Sequence, residues 1–234
     1  MTNILDKMKE DWNKRARLNP RKYVALWSWK TREEFDASGL CDAKKVLQGI
    51  NINKNWVILE VGVGVGRVLR YLAKSFKEIY GVDVSDEMLK IARNELNEYR
   101  NVKILQNNGA DLSLFRNGMF EFVYSVKVFQ HIPEKNFAKY LDEIYRVLKP
   151  NGLLRFQIFE KAKILNLIPW FWLRNLRHFH LKFWKAPPDN DTWSARSYSK
   201  QELSSILEKR FELLRIENLS KGEGDLWITA KVKK

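Results

Sequence analysis

From Trp56 onward, short apolar runs alternate with helix-patterned segments, the order that a mostly parallel sheet with helical crossovers requires. The spacing predicts strands over 57–61, 79–83, 102–106, 120–125 and 153–159. Helices are expected over 65–76, 85–99 and 137–148, with Ser85 as an N-cap and Pro150-Asn151-Gly152 ending the third. Further on, a helix over 200–209 precedes strands over 211–217 and 226–232, a pair suited to an antiparallel hairpin closing the sheet edge. Ahead of the sheet, Ile4, Leu5, Met8, Trp12 and Leu18 recur at roughly helical spacing until Asn19-Pro20 breaks the pattern. An aromatic-rich stretch over 21–38 follows, and 41–50 reads as a further short helix. Four segments result: an N-terminal helical lid (1–50), a core (51–160), a basic aromatic insertion or cap (161–197) and a C-terminal helix with strands that completes the core (198–234).

Composition bounds this picture without changing it. A chain of 234 residues suits one α/β domain with additions and is too short for two full-sized cores. Its single cysteine, Cys41, excludes an intramolecular disulfide and a multi-cysteine zinc site. The first residues lack the basic flank and long apolar stretch of a signal peptide, so a reducing cytoplasm is the expected location. The longest apolar run, 164–173, is interrupted by Asn166 and Pro169 and is about half the ~20 residues a membrane span needs. A formal charge of +14 favours anionic partners such as RNA, anionic lipid or an anionic small molecule, but does not choose among them. The oligomeric state is not legible.

The chemistry concentrates after the first strand. Gly62, Gly64 and Gly66 stand between a strand and a helix, where missing side chains let backbone turn tightly and approach a ligand. The spacing is G-x-G-x-G with Glu60 two residues ahead, unlike the G-x-G-x-x-G of nicotinamide and flavin sites. Asp83 ends the second strand, where a carboxylate can accept from both hydroxyls of a ribose. The alternative for Asp83 is a helix-capping role ahead of Val84-Ser85.

Residues 60–67, Gly81-Val82-Asp83 and Arg146-Val147-Leu148-Lys149-Pro150-Asn151-Gly152 together resemble the class I S-adenosylmethionine-dependent methyltransferase family, over about 56–159. The resemblance implies a Rossmann-like, mostly parallel seven-stranded sheet with an antiparallel C-terminal strand and helical cap elements. It implies S-adenosylmethionine as cofactor and S-adenosylhomocysteine as product. Glu60 and the glycine loop would then lie against the methionyl part, Asp83 at the ribose and Met88 against the adenine, with Val84 also touching the cofactor. Asn108 and Gly109 would meet the adenine edge, with Asp111 as the rival for the exocyclic amine, and Ser125 would lie beside the methionyl group. An ordinary surface turn at Asn108-Gly109 and an ordinary core role for Met88 are the competing readings.

Methyl transfer from a sulfonium is an in-line displacement that gains much of its rate from positioning. His131 is the one histidine of three inside the core signature and the candidate base for a hydroxyl acceptor, against a structural or cofactor-shielding role. A cytosine-C5 enzyme needs a cysteine nucleophile, for which Cys41 is poorly surrounded. The Asn/Asp-Pro-Pro-Tyr turn of the family's adenine- and glutamine-methylating members is replaced by Ser125-Val126-Lys127-Val128. Residues 161–188 contain no carboxylate, yet interleave Lys161, Lys163, Arg174, Arg177, Lys182 and Lys185 with Trp170, Phe171, Trp172, Phe179, Phe183 and Trp184. A cap over a small-molecule pocket is the first reading, a membrane-surface element the second and a single-strand RNA platform the third. Trp193 and Arg196 follow as a hinge or as acceptor contacts. The expected activity is methylation of a hydroxyl or amine on a small or amphipathic metabolite. An RNA methyltransferase and a non-catalytic cofactor-binding regulator are the alternatives.

Overall fold

Val57, Ile58 and Leu59 followed by Val61 make a run too apolar for a strand with one wet face, and β1 (Val57–Val61) is buried along nearly its whole length. A computed structural model describes residues 4–25, 31–161, 195–219 and 224–233. Around β1 stand β2 (Glu78–Asp83), β3 (Val102–Gln106), β4 (Phe120–Ser125), β5 (Leu148–Glu160), β6 (Ser197–Tyr198), β7 (Phe211–Glu217) and β8 (Asp225–Val232). The order is β3-β2-β1-β4-β5-β8-β7, with β6 paired to β5 alone. Pairs from β3 through β5 are parallel, whereas β8 runs antiparallel to both β5 and β7. The late strands therefore do form a hairpin, but its second strand enters between the first and the sheet. This is the Rossmann-like sheet the sequence implies, with one short strand added.

Because successive strand residues point to opposite faces, β1 divides its core between two layers. Ile58 packs with Val46 of α3 (Arg32–Leu47), Leu69 and Leu72 of α4 (Leu69–Leu72), and Leu89 of α5 (Asp86–Glu95). Leu59 faces the other way, toward Phe137 and Ile144 of α6 (Glu134–Val147) and Leu203 of α7 (Lys200–Leu207). Helices α1 (Ile4–Leu18) and α2 (Pro20–Ala25) lie at the edge of this sandwich, and α1 packs on α5.

Several boundaries differ from the sequence expectation for local reasons. The helix expected over 65–76 contracts to α4 and a 3-10 turn, because consecutive turns occupy 64–68. Instead of a short helix over 41–50, α3 starts at Arg32, where the Thr31 hydroxyl accepts the Glu34 N–H at 3.2 Å. Strand β5 begins at Leu148 and runs through a register irregularity in which Asn151 takes a φ of 62°. Ser85 caps α5 as anticipated, accepting the Met88 N–H at 3.1 Å. The basic aromatic insertion falls outside the described residues from 162 to 194.

Candidate active site

The strand order reverses beside β1, since β2 lies on one side and β4 on the other. Loops leaving the carboxyl ends of β1 and β4 there run apart and leave a crevice, the usual ligand position in such sheets. A cavity occupies it, lined on the sheet side by Glu60, Gly62, Gly64, Asp83, Gly109 and Lys127. Met8, Trp12, Tyr23 and Val24 of α1 and α2 form the opposite wall, and Met88, Val128, His131 and Ile132 also face it.

Gly62 and Val63 both donate their N–H to the Val82 carbonyl, at 2.8 and 2.9 Å, so the loop is tied to β2 at its first turn. Gly62 has a φ of 78°, and a Cβ there would overlap the Val128 side chain. The loop thus needs glycine for both its conformation and its space. Asp83 Oδ2 accepts from the Gly64 N–H and Oδ1 from the Ser85 N–H, each at 2.9 Å. A carboxylate oxygen has a second lone pair, so Asp83 is fixed in place with accepting capacity left for a ligand. Burial pushes its pKa up, and the bonds from Ser85 and Gly64 oppose that shift.

Glu60 lies beneath the loop, 2% exposed, and its Oε2 accepts from the Tyr124 hydroxyl at 2.9 Å. Burial pushes its carboxyl up to about 8, against the pull of the Tyr124 bond and of Arg67. Arg67 also lines the cavity, but its charge is spoken for: Nη2 meets Asp42 Oδ2 at 2.6 Å and Nη1 donates to Ser38 Oγ at 3.1 Å. Lys127, in the left-handed region with a φ of 62°, brings its ammonium within 3.8 Å of the same Asp42.

At the far end, Gly109 has a φ of 75°, and a Cβ there would press on Met8 Cε at 2.6 Å and Val84 Cγ1 at 2.8 Å. The residue beside it on the cavity wall is Asn107 and not Asn108. Asn107 donates to the buried Tyr140 hydroxyl through Nδ2, while its Oδ1 is buried without a hydrogen-bond partner. Asn108 instead closes its own turn, accepting from the N–H groups of Ala110 and Asp111 and donating to Asp111 Oδ2 at 2.9 Å. Both Asn108 and Asp111 face a neighbouring cleft beside Leu5 and Lys9.

Two other candidates stand behind the wall. Ser125 is fully buried and donates its hydroxyl to the Val61 carbonyl at 2.9 Å. Gly66 turns away from the cavity, where a Cβ would meet Leu96. His131 is 4% exposed at the end of the 3-10 turn Phe129–His131, edge-on to Trp12 with ring centroids 5.5 Å apart. Among the described residues there is no cluster of side chains able to hold a metal ion.

Residues 59–156 match the sequence profile of the methyltransferase domain family. That stretch, under half of the chain, is the part that resembles the class I S-adenosylmethionine-dependent methyltransferases. The chain is 29% identical over 155 residues to the cyclopropane-fatty-acyl-phospholipid synthase of Escherichia coli (strain K12), a match covering 65% of this chain and 39% of that protein. It is 24% identical over 119 residues to ribosomal RNA small subunit methyltransferase A of Clostridium botulinum (strain Loch Maree / Type A3), covering 50% of this chain and 42% of that protein. The chain thus matches well under two thirds of the length of either relative. A crystal structure of a SAM-dependent methyltransferase from Aquifex aeolicus superposes with a TM-score of 0.64 at 23% identity, over 92% of this chain and all of that one.

The residues present fit the family's cofactor. The glycine turn leaves backbone bare where a side chain would intrude, Asp83 keeps accepting capacity, and the unpaired Asn107 Oδ1 needs a donor such as an exocyclic amine. Trp12, Asn107, Lys127 and the Asp42–Arg67 pair were not singled out from sequence. Asn107 had a signal, being the first residue past β3. The Asp42–Arg67 pair had none, since nothing local tells a buried aspartate on α3 from a solvated one.

Proposed function

We propose that the protein transfers the methyl group of S-adenosylmethionine to a hydroxyl or amine on a small or amphipathic metabolite. The observation that carries this reading is the two-sided cavity, with polar backbone and carboxylates on the sheet side and Met8, Trp12, Val24, Val128 and Ile132 around the rest. In this reading Asp83 accepts from the ribose hydroxyls, Met88 and Val84 pack on the adenine, and Glu60 and the loop from Gly62 to Gly64 border the methionyl part. Gly109 offers its backbone at the adenine edge, and the amine contact passes from Asn108 to Asn107. When bound, the cofactor supplies an electrophilic methyl on a sulfonium.

The chain's own contribution is to orient the acceptor and keep water out. Trp12 and Ile132 supply an apolar wall, and in this reading His131, which lines the cavity beside Trp12, takes the proton of a hydroxyl acceptor. Similarity to a phospholipid-modifying synthase supports an amphipathic acceptor. No helix among the described residues is long and apolar enough to cross a membrane. The second reading, an RNA acceptor, is favoured by the +14 charge and by similarity to a ribosomal RNA methyltransferase.

Calorimetry with S-adenosylmethionine and S-adenosylhomocysteine tests the cofactor half. Wild-type binding should weaken by about 100-fold or more in Asp83→Ala, the loss of hydrogen bonds to a charged group at two hydroxyls. Undiminished binding by that variant removes Asp83 from the site. A labelled-methyl screen over metabolite, lipid and RNA extracts decides the acceptor, and incorporation only into RNA overturns the metabolite reading.

A further inference from the structure

Three guanidinium groups lie almost wholly inside the described part of the molecule: Arg67 at 5% exposure, Arg155 at 0% and Arg196 at 7%. Removing such a charge from water costs several kcal/mol unless an anion and hydrogen bonds replace the solvent. Arg67 has Asp42 at 2.6 Å. Arg155 has Glu217 at 3.5 Å, the Thr229 hydroxyl at 2.6 Å and the face of Trp227. Among the described residues no carboxylate lies within 4.0 Å of Arg196. Its Nη1 reaches the Ile132 carbonyl at 3.4 Å, and its Nη2 is buried without a partner.

The neighbour of Arg196 has the same deficiency. Its backbone N–H donates to the Gln130 carbonyl at 2.7 Å, and the Gln130 side chain is fully buried with neither Nε2 nor Oε1 hydrogen-bonded. Both contacts land on one short stretch, because Gln130 is the middle of the 3-10 turn Phe129–His131 and Ile132 follows it. The next residues along that stretch, His131 and Ile132, line the cavity. An unpaired guanidinium N–H and an unpaired amide thus sit directly behind the wall where the acceptor is proposed to react.

We infer that Arg196, with Gln130, binds an anionic oxygen group of the methyl acceptor, a carboxylate or a phosphate. The inference rests on the methyl-transfer reading of the cavity and sharpens its substrate class to an amphipathic acid. An oxyanion satisfies what the chain leaves open: it supplies the countercharge for Arg196 and accepts from Arg196 Nη2 and Gln130 Nε2. A neutral hydroxyl can fill one of these bonds but leaves the charge uncompensated, and a cation is repelled. The apolar residues at the cavity, Val128 and Ile132, suit the hydrocarbon body between the anionic end and the reacting atom.

The test uses the full chain and three probes of one chain length, namely decanoate, decyl phosphate and decanol, titrated with S-adenosylhomocysteine present. One or both anionic probes should bind at least about tenfold more tightly than decanol, and whichever does so identifies the carboxylate or the phosphate as the source. Arg196→Met should bring that probe to the affinity of decanol, with Arg196→Lys intermediate and S-adenosylhomocysteine affinity unchanged in both. Arg196→Met should also melt no lower than wild type without amphiphile, because it removes an uncompensated charge; a lower melting temperature assigns Arg196 a purely structural role and overturns the inference. Wild-type protein that binds decanol as tightly as the anions overturns it too, whatever the variants do. Failure of S-adenosylhomocysteine to bind wild type is a different result, which defeats the methyl-transfer reading while the anion preference is still read from the probes alone.

Discussion

The two walls of the cavity are held by different forces. On the sheet side, the loop after β1 is fixed by backbone bonds from Gly62 and Val63 to Val82 and by Asp83 accepting from Gly64 and Ser85. These groups sit on the fully buried strands at the centre of the fold. On the helical side, α1 reaches α5 largely through side chains: Asn13 Nδ2 to Asp86 at 2.7 Å, the Ser85 hydroxyl to Asn13 Oδ1 at 2.7 Å, and exposed pairs Lys9–Asp86 at 3.7 Å and Arg17–Glu87 at 3.3 Å. Exposed ion pairs contribute about 0–1 kcal/mol each. The floor is therefore held by backbone bonds of the central sheet, whereas the roof is held by side chains, these polar contacts together with the buried Met8 and with Ala16 in an apolar cluster that includes Met88. A floor of this kind suits the cofactor, and a roof built from side chains suits the choice of an acceptor.

The largest expected effect breaks the floor. In Gly62→Val a β-branched side chain is forced into a φ of 78° and into the space of Val128. Strain and overpacking together should cost about 2–4 kcal/mol of stability, with cofactor affinity falling by at least about 100-fold. Denaturant melts and calorimetry read both, and a variant retaining both properties shows that the loop tolerates a side chain after all.

The roof should respond differently. Trp12 meets His131 edge-on and lines the cavity, yet α1 lies outside the sheet. Trp12→Ala removes a large part of the acceptor wall, and turnover at fixed acceptor should fall by about tenfold or more. Cofactor affinity should change by less than about threefold, because Asp83, Gly62 and Asn107 are untouched. If affinity for S-adenosylhomocysteine falls as far as turnover does, the division between floor and roof is wrong.

The same division governs how much the sequence disclosed. Strand β4 was legible to the residue because Phe120–Ser125 is buried by both layers and bounded by polar turns. The floor followed from it, since a glycine turn between a strand and a helix carries its purpose in local pattern. On the helical side α1 was legible too, from the spacing of Ile4, Leu5, Met8, Trp12 and Leu18, whereas α3 was not, because it buries only scattered positions such as Phe35, Ala43 and Val46 among many charges. Its apolar side is defined by what it covers. Asn107 illustrates the limit at the site itself: two adjacent asparagines are equivalent in sequence. Only the path out of β3 decides that one faces the cavity while the other closes a turn with Ala110 and Asp111.

The smallest effect lies within the floor and concerns charge. Glu60 is buried, and its carboxyl is pushed up to about 8, so at pH 7 it is mostly protonated in the free protein. The cofactor carries a sulfonium and an ammonium, and positive charge brought near Glu60 favours the carboxylate, so binding should release a proton. The sign follows: affinity should rise with pH as Glu60 ionises and level off above about 8. Between pH 7 and 9 the gain should be about tenfold at most, the range one titrating group provides. Folding runs the opposite way, because a carboxyl raised from an ordinary 4.5 to about 8 costs the folded state stability as pH climbs between those values. Glu60→Gln should therefore flatten the pH dependence of binding and make the free protein relatively more stable at pH 8 than at pH 5. Calorimetry in two buffers of different ionisation enthalpy measures the proton directly. A wild type that binds S-adenosylmethionine with no proton release at pH 7 shows that Glu60 holds the loop without meeting the cofactor's charge.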